Sequence, residues 1–237
     1  MAEIENAIIM AAGLGTRMQP FPYKNPKPTI KVAGKPMIES VIEGLQQNDI
    51  RDISIIVGYL AEQFNYLVEK YPGVKLINNP YYNQYNNISS LYVARNELKN
   101  TVILDGDQLV MNSKLLKKEF THSVYAGAEI EQFTDEWIMH SDQEGKILQC
   151  DRSGNDHGWR LYSLSKWRAG DSQRLKKRLE EEFEEAHHYD IYWDDIAMFD
   201  YFGEFPLYVM PIKANDIIEI DSVEQLRQVD QRLEKKG

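Results

Sequence analysis

The sequence "IIMAAGLGTRMQPFPYKNPKPTIKV" (residues 8–32) joins an apolar run, two closely spaced glycines and a proline-rich segment with basic residues. An apolar run that ends in glycines is typical of a β-strand followed by a turn whose backbone N–H groups approach an anion, because no side chain blocks the approach. A dinucleotide-binding fingerprint would need a third glycine where Met18 stands, and an uninterrupted helix after the turn. The spacing also does not match a Walker loop. The turn therefore predicts an anion site of another kind.

The segment after the glycines carries two cations, Arg17 and Lys27, among four prolines. These prolines are Pro20, Pro22, Pro26 and Pro28. Because proline fixes φ and removes a backbone donor, the segment is predicted to be a stiff extended loop that aims Lys27. An arginine and a lysine that converge on one glycine turn suit a triphosphate. The alternative is an ordinary surface loop with scattered charges.

Composition restricts the partners of the 237-residue chain. Its net charge of −10 would repel phosphate backbones, so nucleic acid is not expected as a partner. No stretch is long and apolar enough to suggest a membrane span, and the acidic start "MAEIEN" does not resemble a signal peptide. The single cysteine, Cys150, excludes an internal disulfide. We expect a soluble cytoplasmic protein with no membrane partner.

The hydrophobic pattern alternates between strand-like and helix-like segments, which predicts an α/β fold with a mostly parallel central sheet flanked by helices. The predicted strands are Ala7–Met10, Ile53–Val57, Val74–Ile77 and Thr101–Leu104, and the predicted helices lie near 36–48, 60–70 and 87–98. Shorter runs at about 123–131, 136–141, 145–151 and 158–165 predict a smaller antiparallel patch. A charged helix at about 170–186 is expected to be a solvated surface element. No linker is visible, so residues 1–237 are predicted to form one domain.

Several motifs resemble a known family. "AAGLGTRM", "NPKP" and "AGKPMIE" are similar to the signature of sugar-nucleotide-type nucleotidyltransferases. "YNNISSLYVARNEL", "TDEWIM", "DIYWDD" and "IIEIDS" resemble the small cytidylyltransferases that activate phosphocholine, and their relatives that activate 2-aminoethylphosphonate. The similarity spans about residues 5–230. It implies a Rossmann-like nucleotidyltransferase fold, CTP as donor, Mg²⁺ as cofactor, and a small aminated phosphate or phosphonate as acceptor.

Two pairs of carboxylates end strand-like runs. "VILDGDQ" supplies Asp105 and Asp107, and "IIEIDS" supplies Glu219 and Asp221. Such oxygens at the carboxyl edge of a parallel sheet suit a Mg²⁺–triphosphate complex. On spacing alone, a solvated turn is the alternative for Asp105 and Asp107, and a helix cap is the favoured interpretation of Asp221. The resemblance implies that Asp107 and Asp221 are the metal ligands and that Asp105 supports the nucleotide site.

The resemblance also implies roles in nucleotide binding. Arg17 and Lys27 are expected to act in catalysis by holding the β- and γ-phosphates. The residues expected to contact the nucleotide are Ala12, Gly13, Gly15, Thr16, Asn87, Ser90 and Asp105. Polar side chains that precede a helix are more often caps, so a capping role for Asn87 is the alternative.

The acceptor site is expected to combine carboxylates with aromatic rings, because both attract an ammonium group. Its predicted residues are Ser89, Trp137, Tyr192, Asp194 and Glu219. For the aromatic residues, a place in the core is the alternative. Ile88 and Ser89 stand where phosphocholine enzymes carry aromatic residues, and a primary ammonium prefers oxygen partners. The sequence therefore favours 2-aminoethylphosphonate over phosphocholine.

Other interpretations remain open from the sequence. The chain could be a non-catalytic nucleotide-binding module, or it could use another nucleotide and a sugar phosphate. Arg160 and Lys166 are candidates for anion contacts in the second half of the chain. A homodimer is compatible with the sequence, which does not determine the oligomeric state.

Overall fold

The structure is a computed structural model that describes residues 1–15 and 24–234. Its strands are β1 (Ala2–Glu3), β2 (Asn6–Ala11), β3 (Lys31–Val32), β4 (Lys35–Pro36), β5 (Ile53–Val57), β6 (Val74–Asn78), β7 (Thr101–Asp105), β8 (Gln108–Val110), β9 (Glu119–Phe120), β10 (Ser123–Ile130), β11 (Ile138–Ser141), β12 (Ile147–Asp151), β13 (Gly158–Trp167), β14 (Leu207–Ile212) and β15 (Ile217–Glu219). Its α-helices are α1 (Met37–Gln47), α2 (Asn65–Lys70), α3 (Ile88–Val93), α4 (Ala169–Glu180), α5 (Trp193–Asp195) and α6 (Val223–Glu234). In these ranges no helix combines the length and apolarity needed to cross a membrane.

The predicted strands form a nine-stranded sheet with a parallel centre. Its main order is β12-β11-β13-β7-β2-β5-β6, and β10 joins it by pairing with β13 and β14. β7, β2, β5 and β6 are parallel, whereas β13 pairs antiparallel with β7. The predicted antiparallel patch therefore continues the central sheet through β13. The α/β fold class is confirmed.

Helices cover both faces of the central strands, which explains why those strands are apolar without interruption. Ile9 packs in a cluster with α1 and α2, and Ile8 packs in the opposite cluster with α3 and α4. The prediction that the charged helix is a solvated surface element is wrong for one of its faces. Leu175 and Leu179 of α4 are fully buried in the second cluster. One acid, Asp171, is also buried, where it accepts a hydrogen bond from the Ser123 hydroxyl.

The proline-rich segment differs from the extended loop that the sequence predicts, where the structure describes it. Lys27–Thr29 forms one turn of 3₁₀-helix, in which the Thr29 and Ile30 N–H groups donate to the carbonyls of Pro26 and Lys27. Proline tolerates this turn because Pro28 lies at its start, where no backbone donor is needed. Pro20 and Pro22 lie outside the described residues. The turn therefore fixes Lys27 more firmly than an extended chain would.

We predict that Gly73, before β6, contributes strongly to stability. Its φ is +89°, and an added Cβ would lie 2.1 Å from the Arg51 carbonyl oxygen. Gly34 is a matched control, because its φ is +81° but nothing lies within 4 Å of an added Cβ. Gly73→Ala should lower the free energy of unfolding by about 3 kcal/mol, and Gly34→Ala by about 1 kcal/mol, in urea titrations. Equal losses would show that backbone strain alone sets the cost.

Candidate active site

The loops that carry the predicted site residues meet at one edge of the central sheet. The register of the parallel strands aligns Met10 with Asp105, so the carboxyl ends of β2 and β7 lie side by side. Ligands of open α/β sheets bind outside these ends. Two adjoining cavities lie there, a first of about 400 Å³ and a second of about 340 Å³. Both are lined by Lys27, Asn87, Asp105 and Asp107.

Lys27 joins the two acids that are predicted to bind metal. Its Nζ lies 2.8 Å from Asp107 Oδ2 and 2.9 Å from Asp221 Oδ1. The lysine side chain is only 8% exposed. Burial alone would lower the pKa of Lys27, but Asp107 and Asp221 outweigh it and raise that pKa above its ordinary value. The ammonium is therefore a buried cation held between two carboxylates.

The short sheet formed by β8 and β15 brings these distant acids together. β15 pairs antiparallel with β8, and Glu219 faces Gln108 in the register. Asp107 directly precedes β8, and Asp221 follows β15, so both acids lie at the same end of the pair. The sequence motif left open whether Asp221 is a helix cap. Ser222 takes that role, because its Oγ accepts from the Gln225 N–H at 3.1 Å.

Gly15 lets the glycine turn lie against Lys27. Its φ is +62°, and an added Cβ would lie 3.1 Å from Lys27 Cβ. A side chain at this position would be strained and would press on the lysine. The glycine turn therefore allows the chain at Gly15 to pack closely against the Lys27 side chain. Thr16 and Arg17, which follow Gly15, lie outside the described residues, and their predicted roles stay predictions.

The first cavity contains most of the predicted nucleotide residues. Those that line it are Ala12, Gly13, Gly15, Asn87, Ser90 and Asp105. Further lining residues that the prediction did not name are Met10, Asn79, Tyr82, Tyr85 and Asn86. Ser89, predicted for the acceptor, also lines this cavity and is absent from the lining of the second. Asn79 follows β6 at the same sheet edge, a position that topology alone could have indicated.

Asn79 and Asn87 fix the walls of the first cavity. The buried Asn79 amide donates to the hydroxyls of Ser89 and Ser90, each at 3.0 Å. Asn87 precedes α3 but makes no side-chain capping bond to that helix. Its Oδ1 accepts instead from the Trp193 N–H at 2.9 Å. Asn87 therefore connects the first cavity to the segment that lines the second.

The second cavity brings together four of the five predicted acceptor residues. Trp137, Tyr192, Asp194 and Glu219 line it. Glu136, Leu161, Ser163 and Asp221 complete this wall. The Trp137 and Tyr192 rings are perpendicular, with centroids 5.9 Å apart. The cavity thus offers both carboxylates and aromatic rings, as the sequence predicts for an acceptor site.

Burial changes the protonation of acids around the second cavity. It raises the pKa of Asp194 to about 7, although the Tyr125 hydroxyl donates to this carboxylate at 2.9 Å. Burial likewise raises the pKa of Glu219 to about 7, against the effect of Arg160, whose Nη2 lies 2.8 Å from Oε2. The pKa of Asp105 is raised well above its usual range by burial and then by the neighbouring Asp107. Such perturbed acids in a cleft are typical of functional sites.

The two further anion-contact candidates differ in position. Arg160 pairs with Glu219 and lies 3.3 Å from Glu136, so it balances charge behind the second cavity. Lys166 lines neither cavity, and its Nζ donates to the Lys117 carbonyl oxygen at 2.9 Å. Burial lowers the pKa of Lys166 to about 8. Arg160 therefore supports the second cavity from outside through Glu219, and Lys166 is a buried group of the sheet.

The acids suit a metal that is bound jointly by protein and substrate. Residues 1–15 and 24–234 contain no group of three or more His, Cys, Asp or Glu side chains arranged to hold a metal. Mg²⁺ often binds through one or two carboxylates together with substrate phosphates. Asp107 and Asp221, which share the Lys27 cation, offer two such carboxylates. The donor set therefore fits Mg²⁺ bound with a triphosphate.

Comparison with known proteins agrees with the geometry. The 2-aminoethylphosphonate cytidylyltransferase of Lancefieldella rimae is 39% identical over 231 residues, which cover 97% of this chain and 93% of that protein. The choline-phosphate cytidylyltransferase of Streptococcus pneumoniae is 37% identical, and the match covers 98% of this chain and 99% of that protein. The solved CTP:phosphocholine cytidylyltransferase of Streptococcus pneumoniae superposes with a TM-score of 0.91 at 36% identity, and covers 98% of this chain and 99% of that one.

The family model of the MobA-like NTP transferase domain matches residues 7–146, which include the glycine turn, Lys27 and Asp107. The resemblance seen in the sequence motifs is thus confirmed over nearly the whole chain. The chain belongs to the MobA-like NTP transferase family, and within it to the nucleotidyltransferases related to small cytidylyltransferases.

Proposed function

We propose that the protein is a Mg²⁺-dependent cytidylyltransferase that transfers CMP from CTP to a small aminated phosphonate or phosphate. The observation that carries this proposal is the contact of Lys27 with Asp107 and Asp221 at the junction of the two cavities. The first cavity would hold CTP and the second would hold the acceptor. The names of the relatives support cytidine transfer to acceptors of this kind.

The chemistry needs charge neutralisation and positioning more than a strong base. An acceptor phosphonate or phosphate oxygen is already ionised and attacks the α-phosphorus, while the bond from that phosphorus to the bridging oxygen breaks and pyrophosphate leaves. Lys27 would stabilise the departing pyrophosphate, a role that the sequence motif also predicts for Arg17. Mg²⁺, held by Asp107 and Asp221, would offset negative charge on the phosphates. Asn87 would keep the two substrates adjacent, because it lines both cavities.

We propose 2-aminoethylphosphonate as the preferred acceptor. Its primary ammonium donates three hydrogen bonds, and Glu136, Asp194 and Glu219 offer carboxylates in the second cavity. Ser89, which is also predicted for the acceptor, lines the first cavity and not the second. Phosphocholine is the second candidate, since Trp137 and Tyr192 present rings to a quaternary ammonium.

The acceptor is tested by pyrophosphate release from CTP with 2-aminoethylphosphonate, phosphoethanolamine and phosphocholine, each with and without Mg²⁺. We expect release that requires Mg²⁺ and is fastest with 2-aminoethylphosphonate. Asp107→Asn should lower kcat by about a hundredfold or more, because one metal ligand is lost. CTP binding without release for any acceptor, in wild type and variant alike, would instead support a non-catalytic nucleotide-binding module. Competition among the four triphosphates tests the donor.

We predict that Lys27 competes with divalent cations when no nucleotide is bound. Its ammonium contacts both carboxylates, so a metal must displace it or share them. Lys27→Met should therefore bind Mn²⁺ about tenfold more tightly than wild type in the absence of CTP. Electron paramagnetic resonance of free Mn²⁺ measures this affinity without turnover.

Lys31→Met is the control for the Mn²⁺ titration. Lys31 is exposed on β3, and its substitution removes the same charge as Lys27→Met. Asp221→Asn in the Lys27→Met background should abolish the gain. Mn²⁺ affinity that is unchanged or weaker in Lys27→Met would contradict the competition.

The raised pKa of Asp194 predicts a pH dependence of acceptor use. Below about pH 7 this carboxyl is protonated and attracts an ammonium less. The neighbours Tyr125 and Cys150 have raised pKa values and stay neutral, while Asp195 adds negative charge that favours the protonated form of Asp194. The ratio of kcat/KM between wild type and Asp194→Asn should rise about tenfold from about pH 6 to about pH 8.

Asp194→Asn also separates this effect from ionisation of the acceptor phosphonate, which is common to both enzymes. The raised pKa of Asp194 also affects the pH dependence of protein stability. Because the folded-state pKa of Asp194 is raised, its contribution to stability is present at low pH and is lost as pH rises through about 7. A ratio of kcat/KM that is flat with pH would contradict a role for the Asp194 charge.

A further inference from the structure

A cation of the protein itself lies behind the aromatic wall of the second cavity. Arg152 follows β12, and its guanidinium carbon lies 3.8 Å from the Phe199 ring centroid and 5.6 Å from that of Trp137. The Trp137 and Phe199 rings are perpendicular, with centroids 5.0 Å apart. Trp137 lines the cavity, whereas Arg152 does not. Arg152 therefore reaches the acceptor site indirectly, in part through the ring of Trp137.

We propose that Arg152 is a positioning residue that sets acceptor specificity, by favouring a primary ammonium over a quaternary one. This inference rests on the proposed function, because it concerns the head group of the acceptor. The guanidinium already uses the electron-rich rings of Phe199 and Trp137. A second cation at Trp137 gains less from the same π-system and is repelled by the first.

The two head groups depend on Trp137 to different degrees. A quaternary ammonium has no N–H group, so aromatic faces are its main source of attraction. A primary ammonium donates hydrogen bonds to carboxylates, and Glu136, Asp194 and Glu219 line the cavity. A weaker aromatic face therefore disfavours phosphocholine and leaves 2-aminoethylphosphonate nearly unaffected.

Arg152 also holds the segment that forms another wall of the cavity. Its Nη1 lies 2.8 Å from Asp195 Oδ1, an ion pair without the alignment of a good hydrogen bond. Asp195 is buried, and its other oxygen accepts from the Tyr192 N–H at 2.7 Å. Burial raises the pKa of Asp195, and the Tyr192 N–H and then Arg152 oppose that rise in part. The arginine thus compensates the acid that fixes Tyr192 in place.

The ion pair determines how the proposal must be tested. Arg152→Met alone removes the cation but leaves a buried carboxylate without its partner, which can destabilise the wall. The double variant Arg152→Met/Asp195→Asn removes both charges, and the asparagine oxygen can still accept from the Tyr192 N–H. Arg51→Met is the matched control, because Arg51 is 64% exposed and pairs with Asp49 on the surface.

The experiment compares kcat/KM for phosphocholine with that for 2-aminoethylphosphonate in all four proteins. We expect the ratio of phosphocholine to 2-aminoethylphosphonate to rise about tenfold in the double variant and to stay unchanged in Arg51→Met. A merely structural role would lower both values together and leave the ratio unchanged. An unchanged ratio in both Arg152 variants overturns the proposal.

Calorimetric titration of the same proteins with the two acceptors distinguishes failure of this inference from failure of the proposed function. Binding needs no turnover, so the affinity ratio is measured even if no pyrophosphate is released. A gain in phosphocholine affinity in the double variant supports the role of Arg152 whatever the reaction is. The absence of that gain overturns it, even in an enzyme that is fully active with 2-aminoethylphosphonate.

Discussion

The contact of one buried ammonium with two carboxylates constrains the whole active site. Lys27 cannot stay charged in a buried position without Asp107 and Asp221, and the two acids could not lie so close without a cation between them. Three chain segments that are distant in sequence must therefore converge: the turn after Pro26, the β7–β8 connection and the end of β15. The same requirement would make the arrangement responsive to ligands. A metal ion could replace the Lys27 ammonium beside the two acids, and a triphosphate could replace the acids beside Lys27.

The parallel strands explain why this convergence occurs at an edge where two substrates can meet. Strands buried on both faces leave their polar residues at their ends, and the register aligns those ends. Asn87 then joins the two halves of the site, because it lines both cavities and accepts a hydrogen bond from the Trp193 backbone. A nucleotide and an acceptor would share this wall. Under the proposed function, group transfer between them would require little movement of the protein, and proximity would contribute much of the rate.

The sequence predicted those features that depend on local pattern or on the family motif. The central strands agree with the structure. The structure also brings Asp107 and Asp221 together on the Lys27 ammonium and places Trp137 at the second cavity, while their roles in metal and acceptor binding stay predictions. Features that depend on packing were missed. Prolines permit both a helical turn and an extended chain, so the proline pattern alone does not predict the 3₁₀ turn at Lys27. The packing of neighbouring segments decides between them. Ser89 points to the first cavity because α3 begins just before it and Asn79 binds its hydroxyl, which no local pattern encodes.

The charges around the second cavity affect how strongly it would attract an ammonium group, whereas its choice between ammonium types would depend on other features. Burial raises the pKa of Asp194 and Glu219 to about 7, so these acids ionise fully only when a cation arrives or the pH rises. Arg160 and Arg152 partly compensate the acids from outside the cavity, through Glu219 and Asp195. Under the proposed function, the site would attract an ammonium without an excess of fixed negative charge, and such an excess would repel the phosphate or phosphonate of the same acceptor. Discrimination between ammonium types is left to hydrogen bonding and to the ring of Trp137, which are the two features that a change of one or two residues can alter.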